Sequence, residues 1–107
     1  AEEYGQKSAW FYNNLAWLLS TAADGKVRNG PRADEAMKEA LELMPNEPSL
    51  LDTEAAVCAE LGRYEEAVQW ETRFLASKSL TSEQRKRGEQ RLRLYHGGQP
   101  YRQLPGE

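Results

Sequence analysis

Cys58 and His96 are the single cysteine and single histidine of the 107-residue chain, so their chemistry bounds what the protein could catalyse. A thiol becomes a nucleophile when a base or a cation stabilises its thiolate. Cys58 instead shares an apolar helical stripe with Leu51, Ala55 and Leu61, which predicts a small core residue without an evident base. His96 precedes Gly97-Gly98 at an expected helix end, where it suits a C-terminal cap favourable to the helix dipole. One Cys and one His cannot build a standard structural zinc site. Asp52, Glu54, Glu65 and Glu66 supply carboxylates of the kind that helices carry routinely. The segment DGKVRNGP, residues 24–31, shares residue types with a calcium loop but lacks the D-x-[DN]-x-[DN]-G spacing and the distal glutamate. No phosphate loop or nucleotide fingerprint occurs. These residues predict a non-catalytic protein with no metal and no cofactor.

The elements around them read as helices. Alanine, leucine, glutamate and arginine dominate and β-branched residues are scarce, which favours helix almost throughout. The length corresponds to one domain spanning residues 1–107. Residues 1–8 are polar and are expected to fray or to form an opening turn. Ala9 to Ala23 follow as a helix apolar on more than one side, with Leu15, Leu18, Leu19 and Ala22 on one face and Trp10, Asn13, Asn14 and Trp17 on another. Turn chemistry makes 24–31 a loop, with Asn29 or Gly30 capping a second helix from about Arg32 to Met44. Ser49 and Asp52 match the capping-box spacing at the start of a third helix. Gly62 ends that helix by a left-handed residue, and a fourth runs from Tyr64 to about Ser77. Thr81 with Gln84, or Ser82, caps a fifth, basic helix in which Gly88 is expected to mark close backbone approach. Tyr101 is expected to anchor the tail by packing back.

Charge divides the chain. Residues 1–77 hold 7 basic against 14 acidic residues, and residues 78–107 hold 7 basic against 3 acidic. No apolar run approaches the roughly 20 residues that span a bilayer. A single cysteine leaves the redox compartment open. The start at Ala1-Glu2-Glu3, with no signal peptide visible, suits either a processed mature chain or a trimmed one. Cytoplasm and periplasm both remain open.

A period search adds a family resemblance. Tyr12, Leu15, Ala16 and Leu19, then Ala33, Met37, Ala40 and Pro45, resemble the W-x2-L-G-x2-Y, A-x3-F and Pro positions of a tetratricopeptide repeat. A second unit resembles it through Leu51, Glu54, Ala55 and Cys58, then Gly62, Tyr64, Ala67 and Glu71. Glu54, Glu71, Phe74 and Ser79 depart from the pattern. The spacing from Tyr12 to Leu51 is 39 residues, and its excess over the usual repeat falls in the 24–31 loop. The NNLAWLL and LDT-x-AA segments look like repeats common in bacterial multi-repeat proteins. The resemblance implies an all-α solenoid: repeat one at about 9–45, repeat two at about 48–79, a capping helix at about 82–96 and a tail at 97–107. Small residues at Ala16, Ala33, Ala40, Ala55 and Ala67 would let the helices approach closely.

Such repeats bind peptides or protein segments on a concave face lined by the first helix of each hairpin. Carried over by position, that groove would offer Trp10, Asn13, Asn14 and Trp17, then Ser49, Asp52, Ala56 and Glu60, with Arg85 and Glu89 from the fifth helix. Asn13 and Asn14 could bond an extended backbone. Trp17 is either a desolvated anchor or a side chain packed under a loop. One alternative is a structural subunit that assembles, with itself or in a larger complex, through the uncapped face near Trp10, Phe11 and Tyr12. A lesser one is anionic-surface or nucleic-acid binding by Lys78, Arg85, Lys86, Arg87, Arg91 and Arg93. These spread around the helix rather than forming one stripe, and the acidic pI argues against it.

Overall fold

Caps and prolines decide where the helices begin. In the computed structural model, which describes residues 2–103 with side chains from Gly5 onward, the chain forms α1 (Glu2–Thr21), α2 (Gly30–Leu43), α3 (Pro48–Glu60), α4 (Tyr64–Leu75) and α5 (Ser82–His96). The fold is all-α, with no strand among the described residues. The expectations for Ala1 and for residues 104–107 lie outside the described residues.

The Asn29 side chain accepts from the Arg32 N–H at 3.1 Å, and Pro31 fills the first turn of α2. Thr81 and Gln84 form a reciprocal capping box on α5, at 3.1 and 2.8 Å. Two expectations are corrected. The polar opening segment is helical from Glu2 onward, because α1 propagates through Gln6, Lys7 and Ser8 from the buried Ala9 and Ala16. Ser49 is not a cap: Pro48 occupies the first turn, where its missing N–H costs nothing, so Ser49 is already helical. The first interhelical loop is irregular over 22–29. It is closed by Arg28 donating to the Ala22 and Ala23 carbonyls, at 2.7 and 3.0 Å.

Two helix ends use left-handed glycines. Gly62 has φ +79°, and the Arg63 N–H reaches the Cys58 carbonyl at 2.8 Å while the Gly62 N–H reaches Ala59. Gly98 repeats the device with φ +69°: the Gln99 N–H reaches Leu94 and the Gly98 N–H reaches Tyr95. Both are Schellman closures, and each reverses the chain sharply. The second turns residues 99–103 back toward the helices they have just left.

α1 packs on α2 and α3 on α4, α3 also touches α1 and α2, and α5 packs on α4. Ala16, Ala33, Ala40, Ala55 and Ala67 are all 0% exposed, so small side chains do line the seams. One core cluster joins Ala16, Ala33, Ala36, Met37, Ala40, Leu50 and Val57; a second joins Ala55, Cys58, Ala59, Ala67 and Tyr95. Gly88 is buried against α4, and a Cβ there would lie 2.8 Å from Leu75 Cδ2 and 2.9 Å from Phe74 Cε2. The radius of gyration is 13.0 Å, the value expected of one compact body of about 100 residues. No described helix is long and apolar enough to cross a membrane.

Candidate functional site

Buried charge gathers where α1, α3, α4 and α5 meet the returning tail. On α3, Asp52, Ala56 and Glu60 recur every four residues and therefore share a face. On α1, Asn13, Trp17 and Thr21 do the same. On α5, Gly88, Arg91 and Tyr95 form the buried stripe.

Arg91 Nη1 donates to Asp52 Oδ2 at 3.0 Å. Its guanidinium carbon lies 4.9 Å from the Trp17 ring centroid and 4.6 Å from that of Tyr101, whose rings are themselves 5.6 Å apart. The three groups thus close a triangle, with the cation against both π-systems. Burial opposes the charge on Arg91, yet Asp52 and then Tyr101 more than offset it, and the guanidinium is held above its ordinary pKa.

Glu71, on α4, is 0% exposed. Its two oxygens and Asp52 Oδ1 are sealed from solvent without another donor. A proton on Glu71 resolves both needs, because the neutral carboxyl donates to Asp52. Burial, then the Asp52 charge, pushes the Glu71 pKa from 4.5 up to about 11. Tyr95 beside them is raised above its usual value, mainly by burial and then by Glu71.

The tail completes the arrangement. The Trp17 indole N–H donates to Gln103 Oε1 at 2.8 Å, and the Gln103 backbone N–H donates to the Thr21 carbonyl at 2.8 Å. Arg102 Nη2 pairs with Glu60 Oε1 at 2.8 Å, and Arg28 Nε lies 3.6 Å from Glu60 Oε2. Residues 101–103 therefore cross the α1–α3 face in a non-helical conformation, using an aromatic ring, a cation, a backbone N–H and a side-chain carbonyl. A cavity of about 450 Å³ continues beside them, lined by Arg87, Gln90, Leu94 and Pro100.

Of the groove residues expected from the sequence, Asn13, Trp17, Asp52, Ala56 and Glu60 lie together beneath or beside this segment. Asn13 is nearly enclosed and Ala56 is buried between the two acids. Ser49 is half-buried, with its carbonyl accepting from Thr53. Trp10 and Asn14 are exposed on α1, away from these contacts. Arg85 is placed elsewhere: it donates to the Leu75 and Ser77 carbonyls, at 2.8 and 3.1 Å, and so closes the end of α4. Glu89 faces solvent. Sequence reasoning missed Arg91, which it placed among the basic surface residues, and missed the roles of Arg102, Gln103 and Glu71. The available signal was the spacing of Arg91 from Gly88 and Tyr95, three and four residues away on one face.

A second acidic group surrounds Cys58, whose thiol lies 3.6 Å from Glu54 Oε1 and 3.9 Å from Glu66 Oε2. Burial, then Asp34, raises the Glu54 pKa to about 7. Burial, then Glu54, raises the thiol far above its ordinary value, the opposite of nucleophile activation. Among the described residues no cluster of three or more His, Cys, Asp or Glu side chains could hold a metal ion.

No family model, no curated protein and no solved structure matches this chain.

Proposed function

We propose that the chain is a non-catalytic protein-interaction module that takes a peptide or protein segment along the face made by α1, α3 and α5. In this reading it is an α-solenoid of two tetratricopeptide-like hairpins, α1–α2 and α3–α4, with α5 as the cap. The alanine seams and the packing of α3 on both α1 and α2 support that architecture. The observation that carries the function is the tail itself: a non-helical stretch of polypeptide lies on this face and is held there by side-chain and backbone bonds.

Selection of displayed random peptides on the full-length chain tests this. Recovered peptides are expected to bind saturably and to lose about tenfold or more in affinity on Trp17→Ala, as a buried aromatic anchor would. Glu39→Ala, on the exposed side of α2, is expected to leave them unaffected. Recovered peptides insensitive to Trp17→Ala would overturn the reading.

A second reading, assembly through the first hairpin, draws on a different observation. Phe11 is 63% exposed and Leu18 51%, and a groove of about 510 Å³, with Tyr12, Leu15, Pro31 and Ala36 on its wall beside Asn29, Arg32, Glu35 and Glu39, lies on this part of the surface. Sedimentation of the ligand-free chain distinguishes the two. A stable oligomer dispersed by Phe11→Glu favours assembly, and a monomer favours peptide capture. The basic-helix reading gains nothing from the geometry: Arg85, Arg87 and Arg91 are engaged by the carbonyls of Leu75 and Ser77, by Glu83 and by Asp52.

A further inference from the structure

The segment that covers the groove also describes what the groove selects. Tyr101 sets its ring against the Arg91 guanidinium and the Trp17 indole. The next residue, Arg102, meets Glu60, a carboxylate on α3 that already has Arg28 on its other oxygen. Gln103 then returns a carbonyl to the Trp17 indole N–H and a backbone N–H to Thr21. Three consecutive side chains therefore meet three different chemistries, in an order fixed by the positions of Arg91, Glu60 and Trp17.

Tail and body also match in charge. The 78–107 segment is basic and the remainder acidic, and Arg102 is the basic residue of the tail proper. The reversal at Gly98 leaves only Gln99 and Pro100 between the turn and Tyr101. A tether so short presents the tail to the groove at an effective concentration on the order of millimolar.

Resting on the peptide-groove reading above, we infer that residues 101–103 are a built-in competitor for the groove, and that the partner segments it captures carry an aromatic residue followed directly by arginine or lysine. A partner segment displaces the tail by reproducing its contacts, so the free chain is closed toward weak or mismatched sequences. Glu60 sets the preference for a cation at the second position. The Arg91–Trp17 pair sets the preference for an aromatic ring at the first.

The test uses the full-length chain. The double substitution Tyr101→Ser with Arg102→Glu removes the ring and reverses the charge on the tail, which frees the groove. A fluorescently labelled peptide of residues 98–107 is then titrated by anisotropy against this opened chain and against the wild type. The opened chain is expected to bind at least tenfold tighter than the wild type. Glu60→Lys in the opened chain is expected to abolish that binding, and a peptide carrying Glu in place of the arginine is expected to regain it. Circular dichroism establishes that each variant keeps its helices. Should the double variant lose them, Arg102→Glu alone serves, with an expected gain of about threefold.

Equal binding to wild-type and opened chains would overturn the competitor. Binding indifferent to Glu60→Lys would overturn the specificity. If the opened chain takes unrelated displayed peptides but not this one, the inference fails and the peptide groove stands. If it takes no peptide of any sequence, both fall.

Discussion

Met37 and Glu71 occupy comparable places and are enclosed by opposite chemistry. Each follows a seam alanine by four residues, Ala33 and Ala67, and each is 0% exposed. Met37 is surrounded by Ala16, Ala36, Ala40, Leu50 and Val57, and any apolar residue of its volume would serve there. Glu71 lies instead among Asp52, Arg91 and Tyr95, with Gly88 leaving room for it. The apolar cluster around Met37 joins α1, α2 and α3 but is indifferent to which apolar residue fills each place. The polar cluster reaches further, because Asp52 on α3, Glu71 on α4 and Arg91 on α5 require one another, and Arg91 in turn meets Tyr101 of the tail. The second hairpin is thereby coupled to the tail through buried charge, whereas α1 of the first meets the tail through Trp17 and Thr21.

The sharpest way to break this contrast is Arg91→Ala. It leaves Asp52 buried without its cation and removes the platform under Tyr101, and is expected to cost about 4 kcal/mol. Met37→Ala is expected to cost about 3 kcal/mol. In urea titrations followed by circular dichroism both variants lose stability, but only Arg91→Ala should also free the tail, seen as faster hydrogen exchange at the Gln103 amide.

The pH dependence separates the two regions next. Glu71 keeps a proton in the folded state that the unfolded chain releases above its ordinary pKa of 4.5, so its contribution is complete below that pH and is lost as pH rises toward about 11. Glu54 acts in the same sense but only between 4.5 and about 7. From pH 7 to 9, therefore, the falling stability belongs mainly to Glu71, with a smaller share from the Cys58 thiol near pH 9. Glu71→Gln is expected to remove a decline of about 3 kcal/mol over that interval. An unchanged slope would mean that Glu71 is ionised in the fold.

Gly88→Ala is expected to destabilise by about 1–2 kcal/mol, since overpacking against Leu75 and Phe74 outweighs the gain in helix propensity. A higher melting temperature would show that α4 and α5 can separate without loss. Smallest is Thr81→Ala, which removes half of the α5 capping box and is expected to cost about 1 kcal/mol.

What could be read from the sequence was local or periodic. The alanine seams follow from spacing alone, and the turn at Gly62, the Thr81–Gln84 cap and the close approach at Gly88 follow from residue type within a few positions. Ser49 failed as a cap because Pro48 took the first turn, a competition between two valid local signals. The site was only half legible. Trp17, Asp52 and Glu60 could be placed on helix faces, but Arg91 meets Asp52 across 39 residues, and only its spacing from Gly88 and Tyr95 distinguishes it from its exposed neighbours. Glu71 registered only as a departure from a pattern, since a carboxyl in a seam makes sense once its partners on two other helices are known. The return of Tyr101 was expected; the roles of Arg102 and Gln103 depend on a surface built by α1 and α3 together.

Cys58 carries one more consequence. Its sulfur is enclosed, and two neighbouring carboxylates hold its proton in place. Reagents in solution must wait for α3 and α4 to part before they can alkylate it. The chain thus contains a single chemical clock, seated beneath the hairpin in the cluster that Tyr101 packs against, that ticks only when this part of the core breathes. Set against tail exchange, its rate would tell whether the tail lifts by itself or only as the hairpin comes apart.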